Sequence, residues 1–184
     1  HTKLLKVGHY NSPDEPFMGP VINIKTANNL LEKQAAWLAN GANALLEMQA
    51  GQGAIVTPGI IDVSNLKTLM EDDEIFGPLL QVIRYQDFEQ AVEIANDTQY
   101  GLAAGLISDD FDQQQYFYNK ARAGIVNINK QLTGASGSAP FGGIGHSGNH
   151  RASAFYAADF CAFPMASMTA KSVELPKKKP AGMK

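Results

Sequence analysis

Four carboxylates stand in succession at Glu71-Asp72-Asp73-Glu74, a donor set that could hold a divalent cation. A run of like charges is more commonly a solvated turn, and Glu74 differs from its neighbours in leading directly into Ile75-Phe76-Gly77-Pro78. Further along, Gly143-Ile144-Gly145-His146-Ser147-Gly148 satisfies the G-x-G-x-x-G spacing that cradles a pyrophosphate at a helix N-terminus. Its context argues against that use, because glycine, serine and alanine precede it where a strand is required. No acidic residue follows about 20 positions on to meet a ribose. His146 and His150 have the spacing of two helical zinc ligands but flank Gly148 and lack the zincin glutamate. Ser136 and Ser138 sit in no G-x-S-x-G elbow. Cys161, between Phe160 and Ala162, has apolar neighbours and no adjacent base, the setting of a thiol that fills a core. These readings leave no metal site and no catalytic residue assigned.

The elements that would position these groups follow a clear rhythm. Ile24, Ala27, Leu31, Ala35 and Leu38 recur at helical period, and Gly41 ends that helix. Residues 44–48 and 55–63 read as strands, the second demoted to an edge or a bend by Pro58 and Gly59. Leu79 opens an apolar, β-branched strand over 79–85. Asp87 with Gln90 makes a capping box for a helix whose inward stripe is Ala91, Val92 and Ala95. Residues 102–108 form a small-residue strand, and Asp109 or Asp110 caps a helix carrying Phe111, Tyr118 and Ala121 that stops at Gly124. Residues 125–129 form the next strand. Strand, helix, strand, helix, strand is the order of right-handed βαβ crossovers, so the fold class is α/β with a parallel sheet flanked by helices. The glycine-rich stretch 130–151 is too long for a mere connection and reads as a functional loop. Residues 166–175 alternate weakly, as one last strand leaving the domain would.

Composition excludes several classes. The chain has 184 residues, 45% of them hydrophobic and 18% charged, and a net charge of -3. It is long enough to bury a core without disulfides and offers no basic field for nucleic acid. Lys177, Lys178, Lys179 and Lys184 lie among prolines in a solvated tail. No apolar run has the ~18 residues that a membrane span needs. One cysteine and no secretory run make the cytoplasm the expected compartment.

A set of local motifs resembles the aldehyde dehydrogenase family in that family's order. They are Met18-Gly19-Pro20, Glu74-Ile75-Phe76-Gly77-Pro78, Ala95-Asn96-Asp97-Thr98 with Tyr100-Gly101-Leu102-Ala103, Ala123-Gly124-Ile125-Val126-Asn127-Ile128-Asn129, and Pro140-Phe141-Gly142-Gly143. Leu132-Thr133-Gly134-Ala135-Ser136, the stretch 143–151 and Tyr156-Ala157-Ala158-Asp159-Phe160-Cys161-Ala162 resemble the succinylglutamate semialdehyde branch. Many relatives carry a lysine where Gly145 stands and continue Ser-Gly-x-Gly-Arg-Glu, whereas this chain reads Ser147-Gly148-Asn149-His150-Arg151-Ala152.

The resemblance implies that residues 1–163 are the C-terminal part of a catalytic domain, and that 164–184 hold an oligomerisation strand and a basic tail. It implies NAD, or NADP, as cofactor, an aldehyde as substrate and a homo-oligomer through the C-terminal strand, with no nucleic acid or membrane partner. Glu74 would accept hydrogen bonds from the nicotinamide ribose, and Phe76 would pack beside the nicotinamide. Thr133, Gly134, Ser136 and Phe141 would line the aldehyde side, backbone N–H groups and hydroxyls meeting substrate carboxylates. The family's nucleophilic cysteine, general-base glutamate and oxyanion asparagine belong to upstream segments, and Cys161 matches none of them. The chain alone is therefore expected to be inactive. A binding or assembly module of the same fold, and a dehydrogenase for another acidic semialdehyde, are the competing readings.

Overall fold

The computed structural model describes residues 1–66, 71–134, 136–148, 153–174, 178 and 181–182. Helix α1 spans Ile24–Ala39 and begins where Asn23 accepts a hydrogen bond from the Thr26 amide at 2.8 Å. Its buried stripe, Ala27, Leu30 and Gln34, faces a three-stranded sheet of β1 (Asn43–Leu46), β2 (Gly59–Asp62) and β3 (Leu79–Val82). β2 is the middle strand, antiparallel to β1 and parallel to β3.

The expectation that Pro58 and Gly59 push this strand to an edge is corrected here. Pro58 precedes the ladder, so its missing N–H costs no strand hydrogen bond, while the Gly59 amide that opens the strand donates to the Pro78 carbonyl at 2.8 Å. Gly59 is required by close approach: a Cβ there would stand 2.8 Å from Leu79 Cδ1 and 3.0 Å from Met48 Cβ. The core gathers Ala27, Leu30, Met48, Val56, Ile61, Val63 and Leu79 around this strand. Its polar member is Gln34, whose side-chain amide donates to the Met48 carbonyl at 3.1 Å and accepts from the Met48 amide at 2.8 Å. One side chain thus replaces a strand neighbour for Met48, which lies just past β1 with no ladder partner for those groups.

Helix α2 (Phe88–Asn96) follows β3 and is capped by Asp87, which accepts from the Gln90 amide at 2.8 Å. Gln90 reaches back to the Gln86 amide at 2.7 Å, one residue before the position a strict capping box would use. Strand β4 (Ala103–Leu106), helix α3 (Phe111–Lys120) and strand β5 (Ile125–Ile128) complete a βαβ unit with β4 and β5 parallel. Asp110 is the residue that caps α3. Phe117 is the buried aromatic of this helix, whereas Phe111 and Tyr118 are exposed. Phe88 and Tyr116 meet edge to face at 5.9 Å and join the two helices. Asn129, at φ +52°, pairs both amide atoms with the Ser108 backbone at 2.9 Å and locks the ends of β4 and β5 together.

The order of elements produces parallel pairing, as the rhythm requires, but two sheets and not one. Among the described residues β3 pairs with β2 and β4 pairs with β5, and no bridge joins β3 to β4. In the glycine-rich stretch, β6 (Pro140–Phe141) pairs antiparallel with β7 (Ser153–Ala154), followed by the one-turn helix α4 (Ala157–Phe160). One expectation fails beyond this point. Cys161 is exposed, because the segment around it turns Phe155, Phe160 and Phe163 outward and builds no core there. Residues 162–174 are unladdered in the single chain, where no neighbouring subunit is present to pair with them. Leu175 and, in the basic tail, Lys177, Lys179 and Lys184 lie outside the described residues.

Replacing Gln34 by leucine keeps the volume and strands the two Met48 backbone groups, each costing about 1–3 kcal/mol. The urea midpoint should fall with an unchanged slope. An unchanged midpoint would show that these bonds contribute nothing.

Candidate functional site

Residues 71–77 lead into β3 without helix or strand, and three of their four acids are divided between two partners. Glu71 and Asp73 go to Lys33 on α1, at 4.0 and 3.0 Å. Asp72 goes the other way. Its Oδ1 accepts from the Thr98 hydroxyl at 2.6 Å and its Oδ2 from the Gln99 amide at 2.6 Å. The Thr98 bond, then the Gln99 amide, with a smaller contribution from His146, hold its carboxyl below the ordinary value of 3.8. The run is exposed, as expected of a solvated segment, but it is also tethered on both sides. Ile75 packs against the core, and Phe76 stands 74% exposed.

The same 98–101 bend also receives the glycine-rich loop. The Gln99 carbonyl accepts from the His146 amide at 2.8 Å, and the Gly101 carbonyl accepts from the amides of Ile144 and Gly124 at 3.0 and 3.1 Å. Ser147 Oγ accepts from the Gly101 amide at 3.3 Å, and the His146 ring meets Tyr100 edge to face at 5.4 Å. Gly145 makes this approach feasible: its φ is +57°, and any Cβ would run into the Gln99 carbonyl. The lysine that many relatives carry here would not fit this backbone. Asn96 ties the bend to the end of α3, donating to the Lys120 carbonyl at 2.9 Å and accepting from the Arg122 amide at 2.8 Å.

A cleft of about 310 Å³ opens where these segments meet. Asp72, Asp73 and Glu74 form one wall, Thr98, Tyr100 and Gly101 the floor, and Phe117, Ala121 and Arg122 the side under α3, with Ser147 contributed by the glycine-rich loop. An acidic wall beside small apolar residues suits a ligand that presents hydroxyl donors and a flat apolar face.

The candidate residues separate into two groups. Glu74 lines the cleft and is exposed, and among the described residues it makes no hydrogen bond. Phe76 projects to solvent outside the lining. Thr133, Gly134 and Ser136 are exposed on the loop after β5, where Ser136 and Ser138 hydroxyls share a bond at 2.8 Å and Gly134 has φ +91°. Phe141 is half-buried in β6. None of these four lines the cleft with Glu74; the glycine-rich stretch reaches it through Ser147. Ala135 and His150 lie outside the described residues. The 143–148 pattern forms a single 3-10 turn at Gly145–Ser147, not the start of an α-helix. Among the described residues no cluster of three or more His, Cys, Asp or Glu could hold a metal, and no helix is long and apolar enough to cross a membrane. The pairing of Asp72 with Thr98 and Gln99 is not legible in the sequence, where Asp72 stands only as part of the acidic run and Thr98 only as part of a motif.

Residues 1–163 match the aldehyde dehydrogenase family. The chain belongs to that family. It is similar to aldehyde dehydrogenase 21 from Physcomitrella patens, solved in complex with the reaction product succinate, at 29% identity and TM-score 0.72 over 80% of this chain and 30% of that one. A salicylaldehyde dehydrogenase from Pseudomonas putida G7, complexed with salicylaldehyde, matches at 28% identity and TM-score 0.73, again over 80% and 30%. The 1-pyrroline-5-carboxylate dehydrogenase from Thermus with bound NAD matches at 30% identity and TM-score 0.69, over 84% and 30%. This aldehyde dehydrogenase chain thus spans about 30% of the length of those structures.

Among the described residues two carboxylates have lowered pKa values: Asp72, and Asp62, held down first by the Ser64 hydroxyl and then by Arg84 at 2.7 Å. Their contribution to stability is complete above the ordinary value of 3.8 and is lost as pH falls through the lowered folded value. In urea titrations from about pH 6 to about pH 2, Asp62→Asn should be less stable than the parent at the upper end and converge with it at the lower. Parallel curves would contradict the assignment.

Proposed function

We propose that this chain is the C-terminal part of an NAD-dependent aldehyde dehydrogenase that oxidises an acidic semialdehyde, with succinylglutamate semialdehyde, a metabolite of arginine catabolism, as the substrate. Family membership over residues 1–163 supports the reaction class, and the Thermus relative is a structure with bound NAD. The observation that carries the reading is Glu74: a carboxylate on the wall of a cleft, tethered on either side through Asp72 and Ile75, with no hydrogen bond among the described residues.

The residues present fit the nicotinamide end of the cofactor. Glu74 offers two acceptor oxygens to a pair of ribose hydroxyls, and the exposed Phe76 offers an apolar face to a flat ring. When bound, NAD takes up the hydride that leaves the aldehyde carbon. The work of this chain is orientation: Glu74 holds the ribose, Phe76 covers the ring from water, and Phe141 with the 132–138 loop shapes the aldehyde side. Thr133, Gly134 and Ser136 supply hydroxyl and backbone donors to substrate carboxylates. The adenosine end of the cofactor falls to other residues, so NADP shares this reading. The covalent steps need a thiolate with a nearby base, and exposed Cys161 has neither the cleft nor the partner for that role. Residues 166–175, with Met168 and Val173 fully exposed, serve as the strand that joins a neighbouring subunit, and the enzyme works in the cytoplasm.

Steady-state kinetics of the intact enzyme test both ends of the site. Glu74→Gln should raise KM for NAD about tenfold, the worth of a charged acceptor. Thr133→Ala with Ser136→Ala should raise KM for the dicarboxylic aldehyde more than for a neutral one. An unchanged NAD response removes the cofactor role, and equal effects on both aldehydes remove the substrate role.

A further inference from the structure

Among the described residues Glu74 has no hydrogen bond of its own to fix it, yet a ribose acceptor must be held in place before the ligand arrives. What fixes the backbone around it is visible on both sides. Downstream, Ile75 packs on the core, and the Gly59 amide at the start of β2 donates to the Pro78 carbonyl at 2.8 Å. Upstream, Asp72 is bonded through separate oxygens to the Thr98 hydroxyl and the Gln99 amide. Asp73 between them is drawn to Lys33 on α1, away from the bend. Residues 72, 73 and 74 all line the cleft, with Asp73 paired to Lys33 and Asp72 to the bend.

We infer that Asp72 is a positioning residue for Glu74: by clasping Thr98 and Gln99 it sets the course of the 72–74 backbone so that the Glu74 carboxylate is presented at the cleft. The inference rests on the proposed reading of Glu74 as the ribose acceptor. Asp72 touches no reacting atom. Its role is geometric and not a matter of charge, because an asparagine at 72 can keep both bonds, its oxygen accepting from Gln99 and its NH2 group donating to the Thr98 hydroxyl. An alanine can keep neither.

The test uses the intact enzyme, with KM for NAD, KM for the aldehyde and thermal midpoint measured for each variant. Asp72→Ala should raise KM for NAD about fivefold, with the aldehyde KM little changed and the midpoint lowered by the loss of the two bonds. Asp72→Asn should recover most of that loss. Combined with Glu74→Gln, Asp72→Ala should add almost nothing further, because the group it positions has already been altered. Glu71→Gln, a nearby charge removal outside the cleft, should leave NAD binding as it is. If Asp72→Ala does not fold, Thr98→Val removes one of the two donors and should give the same pattern at smaller amplitude. An Asp72→Ala enzyme with normal KM for NAD, an asparagine variant as impaired as the alanine, or full additivity with Glu74→Gln each overturns the positioning role alone. A Glu74→Gln enzyme with normal KM for NAD overturns the reading of Glu74, and the inference with it.

Discussion

The 98–101 bend is the constraint on which the site depends. Its backbone and the Thr98 side chain receive Asp72 from the acidic segment, His146, Ile144 and Ser147 from the glycine-rich loop, and Gly124 from the start of β5. Segments that lie as much as 75 positions apart, Asp72 and Ser147, are thereby brought to one support. Such bonds are individually modest, about 0.5–1.5 kcal/mol net for neutral pairs and more where a carboxylate accepts, but they share one short piece of chain. A change in that piece moves both walls of the cleft together.

The remainder of the fold serves to hold this bend in register. β2, buried on both faces, anchors one end of the acidic segment through Pro78 and the core around Ile61. The βαβ unit of β4, α3 and β5 carries the other wall, with Asn96 and Arg122 linking the ends of α2 and α3 beneath it. Rigid elements therefore meet at a cleft lined largely by loop residues, the usual division of labour between scaffold and site.

Much of this was legible in the residues. Helical spacing gave α1 its limits to within a residue or two, and Asp87 with Gln90 marked the start of α2. Strand β2 was misjudged because Pro58 and Gly59 carry a strong local signal, whereas the reason for glycine is tertiary: Leu79 and Met48 occupy the space. The role of Asp72 escaped for the same kind of reason, since a run of acids looks solvated until the partners on α1 and at the bend are known. Cys161 looked like core filler from its apolar neighbours, but neighbours in sequence do not make a core, and here they point outward. The C-terminal segment alternates only weakly, and without a neighbouring subunit to pair with it stays unladdered in the single chain.

Amide hydrogen exchange on the intact enzyme, compared with a Gly145→Ala variant, tests the shared support most directly. The substitution forces a Cβ against the Gln99 carbonyl, to which His146 donates. The account expects the Gln99 amide, bonded to Asp72 on the far side of the bend, to lose protection together with that of His146. Faster exchange at His146 with Gln99 unchanged would show that the two walls are held independently.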